Sequence, residues 1–175
     1  PGGPRAVPGS DADGVLRHCL SCQPGSAGLP LLHPRALHDA GICRYGFQGL
    51  SYRHIAGALR TDLGPDARVV AAHLGSGASL CAMQGGISRD SSMGFFTLDR
   101  IPMTTRCGAL DPGVVLHLLG PMGWSLDRVE SMLYGESGLL GVSGLEADSR
   151  ELLDSSEAAE AIALFCLRIA GETAR

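Results

Sequence analysis

The sequence predicts an α/β fold that forms part of a larger domain. Three short segments of β-strand composition, separated by glycine-rich turns, lie within residues 68–91 and predict an antiparallel meander. Helical patterns flank this sheet on both sides, and the last of them reaches the end of the chain. A sheet of three strands is small for so much helix, so we expect a slice of a larger α/β domain.

Two helices are predicted before the sheet. The first follows Pro34 and ends at Gly41, and the second is capped by Ser51 and ends at the Gly-Pro pair of residues 64–65. Residues 1–28 differ from both, because they are rich in proline, glycine and serine and show no helical or alternating period. We therefore predict an irregular segment over residues 1–28 and a packed domain over residues 29–175.

The sheet is predicted to consist of residues 68–74, residues 78–83 and a short strand near Ile87. Residues 90–108 follow it and contain several glycine, proline, serine and threonine residues without a regular period. A loop of this length is uncommon in a compact domain unless it serves a function. We expect residues 90–108 to line a site.

Three helices are predicted after the loop. Asp111 is a helix N-cap followed by proline at the first helical position, and that helix stops at the Gly-Pro pair of residues 120–121. Ser125 caps the next helix, which runs to Gly135. From Ser155 onward, apolar residues recur at helical spacing to the end of the chain.

The overall composition argues against nucleic acid and membrane partners. The 175 residues include 14 basic and 18 acidic side chains, and no basic block is present that would follow a phosphate backbone. No apolar stretch approaches the roughly 20 residues that a spanning helix needs. Without a visible secretory signal, we expect a cytoplasmic protein.

Six cysteines are irregularly spaced, and we expect them to be reduced thiols. Cys19 and Cys22 form a C-x-x-C pair, but no second pair or spaced histidines complete a zinc site. We therefore predict no metal ligands in the chain.

Two features are candidates for phosphate chemistry. The glycines of H-L-G-S-G at residues 73–77 would let backbone amides approach an anion, although an ordinary glycine-rich hairpin has the same pattern. Arg106 lies in the long loop, where its planar guanidinium could neutralise a transferring phosphoryl group. A solvated loop arginine is the alternative interpretation.

Four motifs occur in one order along the chain: R-Y-G-F-Q-G at residues 44–49, A-H-L-G-S-G-A-S at residues 72–79, D-S-S-M-G-F at residues 90–95 and T-R-C-G-A-L-D-P at residues 105–112. This ordered set resembles the acetate and propionate kinase family. The resemblance extends from about residue 29 to the end and includes residues 138–144 and residues 148–150.

The resemblance implies an actin-like ATPase fold, in which two ribonuclease-H-like halves close over ATP and Mg²⁺. The γ-phosphoryl group then passes to a carboxylate, acetate or propionate, and such enzymes form homodimers. The present chain would be mostly part of the second domain. By motif, the residues along the ATP phosphates would be His73, Leu74, Gly75, Ser76 and Gly77, those at the nucleoside would be Asp148, Ser149 and Arg150, and Arg106 would stabilise the transition state.

The chain departs from the family pattern at several points. Gln48 occupies the position of a second transition-state group, a histidine, and cannot carry positive charge. Arg100 and Thr104 stand where the family usually has glycine. The family's Mg²⁺ ligands, its substrate arginine and its adenosine loop have no counterpart, so we expect both ends of the family chain to be missing. An inactive remnant with only a binding or structural role is the alternative to a kinase.

The family's F-D-T-A-F-H motif, with its catalytic aspartate, is not readable before residue 29. Residues 15–22 can be encoded by codons that spell F-F-D-T-A-F-H when read one nucleotide later. We therefore predict that residues 1–28 are an out-of-frame remnant of the first domain, in which Cys19 and Cys22 have no role. A genuine, divergent N-terminal segment is the alternative.

Overall fold

A computed structural model describes residues 31–59, 62–64, 66–145 and 149–175. The elements in chain order are α1 Arg35–Asp39, α2 Gly49–Leu59, β1 Arg68–Leu74, β2 Ala78–Gln84, β3 Ile87–Ser91, α3 Pro112–Leu119, α4 Leu126–Gly135, α5 Gly138–Ser143, α6 Ser149–Leu153, a 3₁₀ turn Ser156–Ala158 and α7 Ala159–Thr173. The predictions for residues 1–28, including the C-x-x-C pair and the shifted frame, lie outside the described residues.

The predicted meander is confirmed. The three strands lie in the order β1-β2-β3 and both pairs are antiparallel. The β1–β2 ladder runs from Arg68 opposite Gln84 to Leu74 opposite Ala78, so the turn at residues 75–77 is tight. β2 is buried along most of its length, whereas β1 is largely exposed, with Val70 and Leu74 47% and 54% accessible.

The two faces of β2 carry different cores, because successive side chains on a strand point in opposite directions. On one face, Cys81 and Met83 pack with Tyr52 and with the apolar side of α2. On the other face, Ala78 and Leu80 pack with residues of the long loop and of α7, namely Met93, Ile101, Met103 and Ile169. The loop therefore passes over the sheet as part of its core.

A third core joins the C-terminal helices. Leu139 of α5, Leu152 of α6, Ala158 of the 3₁₀ turn and Ala161 of α7 bury their side chains against one another. The sequence did not predict α5 and α6. They have six and five residues, which is too short for an apolar period to be visible.

The predicted caps of α3 and α4 are confirmed. The Asp111 side chain accepts a hydrogen bond from the Gly113 amide at 2.8 Å, and Ser125 Oγ accepts one from the Arg128 amide at 3.2 Å.

The predicted start of α2 was wrong by two residues. α2 begins at Gly49, so Ser51 lies within the helix and its hydroxyl is free to contact another element.

The expectation of reduced thiols needs one correction. Cys43, which is buried, is disulfide-bonded. Cys107 and Cys166 are free thiols, and the buried Cys81 thiol donates to Ser88 Oγ at 3.3 Å. The irregular spacing of the cysteines could not show this, because spacing along the chain does not determine distance in the fold.

Within the ranges described here, no helix has both the length and the apolar character needed to cross a membrane.

Candidate functional site

The turn between β1 and β2 forms an exposed loop of backbone amides. The Gly75 amide donates to the Gly77 carbonyl at 3.1 Å, which holds the turn closed. The amides of Ser76 and Gly77 donate to no other group in the described part of the chain. All five residues predicted to line the phosphates lie here, and all except the half-buried Gly77 are exposed: His73, Leu74, Gly75, Ser76 and Gly77.

Two other segments meet this turn. A Cβ atom at Gly77 would lie 3.7 Å from Gln48 Nε2, so the Gln48 amide faces the glycine. Ser51 Oγ and His73 Nδ1 are 3.0 Å apart, which links α2 to β1. The Thr104 amide donates to the Ser76 carbonyl at 3.4 Å. The structure therefore brings the predicted phosphate turn, Gln48 and the long loop together.

The backbone at Gln48 is left-handed, which is rare for a residue with a side chain. Phe47 and Gln48 have φ values of 38° and 53°. The Gln48 carbonyl accepts hydrogen bonds from the Ser51 and Tyr52 amides, at 3.1 and 3.3 Å, in the first turn of α2. A conformation of this kind costs about 1–3 kcal/mol and persists only where the surroundings enforce it.

Arg106 is half-buried in the long loop. Its guanidinium carbon lies 5.8 Å from the centre of the Tyr134 ring, and Nη1 donates to Met103 Sδ at 3.6 Å. No carboxylate of the described residues forms an ion pair with Arg106. Its charge is therefore available for an anion. Its described connection to the phosphate turn runs through Thr104, two residues earlier.

The beginning of α5 holds the Arg106 loop in place. The Ser137 amide donates to the Thr105 carbonyl, Leu139 to Met103 and Leu140 to Thr104, at 2.9, 3.0 and 2.9 Å. These bonds use amides that a helix cannot satisfy internally at its N-terminus. Gly138 permits the approach, because its φ is +63° and a Cβ atom there would lie 2.7 Å from the Arg106 carbonyl oxygen.

Arg100 and Thr104, the two departures from glycine, behave differently. Arg100 has a φ of 58°, a left-handed conformation that explains why glycine suits this position. Its guanidinium pairs with Asp90 at 3.1 Å and with Glu172 of α7. Burial alone would lower the pKa of Arg100, but hydrogen bonds and charges from Glu172 and Asp90 raise it. Thr104 has no such strain, and its amide binds the turn.

The predicted nucleoside residues are only partly described. Ser149 begins α6 and Arg150 follows it as an exposed residue of that helix. Asp148 and the side chain of Ser149 lie outside the described residues. The nucleoside role of Asp148, Ser149 and Arg150 therefore stays a prediction.

The described residues contain no group of three histidine, cysteine, aspartate or glutamate side chains that could hold a metal ion. They do not fit a complete Mg²⁺ site, and we assign no Mg²⁺ ligand to them.

A separate cleft of about 380 Å³ lies between the loop, α5 and α7. Arg100, Cys107, Glu136, Phe165 and Arg168 are among its lining residues. Burial raises the pKa of the Cys107 thiol, so this thiol is a poor nucleophile near neutral pH.

Four polar residues of the site were not singled out as site residues from the sequence: Ser51, Tyr52, Ser79 and Thr104. Ser51 and Tyr52 follow Gln48 by three and four residues, the spacing that brings side chains to one face of a helix. That spacing was the available signal. Ser79 comes from β2 and is 31 residues from Gln48, so no local pattern could connect the two.

Comparisons with known proteins show which family the chain is similar to. A model of the acetokinase family matches residues 24–175. The acetate kinase of Methylocella silvestris is 52% identical over 143 residues, which cover 79% of this chain and 35% of that protein. The acetate kinase of Rhodopseudomonas palustris is 54% identical over 144 residues, covering 79% of this chain and 36% of that protein. The chain thus spans about a third of the length of these relatives.

Solved structures confirm the predicted fold class. A propionate kinase from Francisella tularensis superposes with a TM-score of 0.79 at 33% identity, covering 92% of this chain and 43% of that one. The acetate kinase of Entamoeba histolytica gives a TM-score of 0.79 at 28% identity, covering 90% of this chain and 42% of that one. The chain therefore has part of the actin-like ATPase fold of these kinases.

Replacing Gly138 by alanine should destabilise the site loop. The new methyl group would overlap the carbonyl oxygens of Met103 and Arg106 in addition to straining the backbone, so we expect a loss of about 2–4 kcal/mol of unfolding free energy in urea denaturation. Gly144→Ala is the matched control, because Gly144 ends the same helix at φ +70° with nothing within 4 Å. It should cost only about 1 kcal/mol. Equal losses for both variants would contradict the proposed close contact.

Proposed function

The chain belongs to the acetokinase family, and we propose that it supplies the phosphate-binding side of an ATP-dependent phosphotransferase whose acceptor is acetate or propionate. Because the chain spans about a third of its relatives' length, the activity is proposed for the protein that completes it. We also propose, from the family alone, a homodimer in the cytoplasm.

One observation carries the proposal. An exposed turn with two unused amides, Ser76 and Gly77, lies beside the Gln48 amide and is bonded to the loop that carries Arg106. Two kinds of donor, backbone amides and a carboxamide, thus lie at one exposed end of the sheet, and the loop bonded to that end carries an arginine. Such groups suit a polyphosphate, and phosphoryl transfer depends mainly on positioning and on neutralising charge.

Each group of residues has a separate proposed role. The amides of Ser76 and Gly77 would hold phosphate oxygens, because no side chain at Gly77 blocks them. Arg106 would neutralise the charge that develops on the transferring group, since no described carboxylate occupies it. Asp148, Ser149 and Arg150 would contact the nucleoside. Mg²⁺, when bound, supplies charge neutralisation through ligands that these residues do not provide.

A second candidate function is a catalytically inactive binding unit. The observation that favours it is Gln48, which can donate a hydrogen bond but cannot carry the positive charge of the histidine expected there. Both candidate functions include nucleotide binding, but only the kinase transfers a phosphoryl group. They are distinguished by restoring the rest of the fold around this segment and measuring turnover.

The 175-residue chain should bind ATP without transferring its phosphate. We expect titration calorimetry to show ATP binding, because the donors of the turn are present. We expect no acetyl hydroxamate above a no-enzyme control, because the family's substrate arginine and Mg²⁺ ligands have no recognisable counterpart in the sequence. A folded chain that does not bind ATP would refute the phosphate site. Formation of hydroxamate would show that the chain contains a complete active site and would contradict this prediction.

Arg106→Ala should lower turnover far more than ATP affinity. The test uses a chimera in which the matched segment replaces that of the Methylocella silvestris acetate kinase. We expect a fall of about a hundredfold or more in kcat and little change in the ATP dissociation constant, as for a contact made mainly in the transition state. Arg106→Lys keeps the charge without the planar fork and should be intermediate. A change confined to ATP affinity would contradict this role, and an inactive parent chimera would favour the binding unit.

Gly77→Val should damage phosphate binding and leave folding intact. The backbone of Gly77 is not left-handed and its Cβ position has only an ordinary contact, so the side chain fits but covers the amides. We expect at least tenfold weaker binding of ATP in calorimetry and little change in thermal stability. Gly64→Val is the control, since nothing lies within 4 Å of that position. Unchanged affinity in Gly77→Val would argue against the turn as a phosphate site.

A further inference from the structure

A chain of hydroxyl groups leads from the core to the Gln48 side chain. Tyr52 of α2 and Ser79 of β2 are both fully buried. The Tyr52 hydroxyl is hydrogen-bonded to Ser79 Oγ, and Ser79 Oγ donates to Gln48 Oε1. Gln48 itself is only half-buried, at the edge of the phosphate turn. The three polar groups therefore connect the interior of the fold with the candidate site.

The chain of hydrogen bonds has a defined direction. The Ser79 hydroxyl has a single proton, which it donates to Gln48 Oε1, so it must accept from the Tyr52 hydroxyl. Because Oε1 is turned inward toward Ser79, the Nε2 group is turned the other way. It lies 3.7 Å from the position of a Cβ atom at Gly77.

The backbone reinforces this orientation. Gln48 is held left-handed at φ 53°, and two amides of α2 bind its carbonyl. A buried hydroxyl without a partner costs about 1–3 kcal/mol, so rotation of the carboxamide that removed the Ser79 bond would be penalised. The fixed main chain and the fixed Ser79 donor together favour the orientation in which Oε1 faces Ser79 and Nε2 faces the turn.

We propose that Tyr52 and Ser79 are positioning residues that lock the Gln48 carboxamide with Nε2 directed at the phosphate turn, where it donates to a phosphate oxygen. This rests on the proposed function for the identity of the ligand. A hydrogen bond that is already oriented loses less entropy on binding. The hydrogen-bonded series Tyr52, Ser79 and Gln48, which we call the relay, thus gives a neutral side chain a fixed place among the phosphate donors.

The test uses the ¹⁵N-labelled 175-residue chain and inorganic triphosphate as the probe. Without ligand, the side-chain amide resonances of Gln48, assigned by their loss in Gln48→Leu, should report one fixed orientation, with slow exchange with solvent. Tyr52→Phe and Ser79→Ala should shift these resonances and speed the exchange. Both variants should bind triphosphate about three- to tenfold more weakly, the loss expected for one misaligned hydrogen bond.

Tyr45→Phe is the matched control. It also removes one tyrosine hydroxyl, which donates to the Gly41 carbonyl at 3.1 Å and not to the relay. It should leave the Gln48 resonances and the triphosphate affinity unchanged. If either relay variant fails to fold, the other decides the outcome.

The outcomes distinguish the positioning role of Tyr52 and Ser79 from the phosphate site itself. Triphosphate binding that is equal in Tyr52→Phe, Ser79→Ala and the control, or Gln48 resonances that do not respond to either variant, would overturn the relay and leave the phosphate site standing. Gln48 resonances that respond to the variants, in a chain that binds no triphosphate, would overturn the phosphate site and with it the role assigned to Nε2.

Discussion

The burial of strand β2 on both faces is the constraint on which the rest of the structure depends. A strand with apolar residues on two sides needs a cover for each, and here α2 covers one face while the long loop and α7 cover the other. Both covers reach the same end of the sheet, where β1 turns into β2. Gln48 and Thr104 therefore meet the turn as a consequence of core packing.

The same region concentrates backbone conformations that ordinary residues avoid. Gln48 and Arg100 are left-handed, and Gly138 is left-handed with no room for a side chain. Two of the three are held by specific bonds: the first turn of α2 at Gln48, and the pairs with Asp90 and Glu172 at Arg100. Strained residues of this kind cluster at functional sites, because their surroundings can enforce a geometry that local preferences would not choose.

The sequence predicted the features that depend on near neighbours. The meander and the caps at Asp111 and Ser125 follow from alternation, glycine turns and short polar side chains. The start of α2 was misplaced because a left-handed Gln48 precedes it, a conformation without a propensity signal. Contacts such as that of Ser79 with Gln48 join segments that are distant in the sequence, so only the three-dimensional structure reveals them. Arg106 and Gln48 were assigned roles only because the order of four motifs carried family information.

The exposed strand β1 has a consequence for how this segment folds. Among the described residues it pairs only with β2, so one side of its backbone must hydrogen-bond to water or to a strand from elsewhere. Val70 and Leu74 remain about half accessible along it. A strand that paired with this edge would satisfy these backbone groups and cover part of the exposed apolar surface, and so would add to the stability of the sheet.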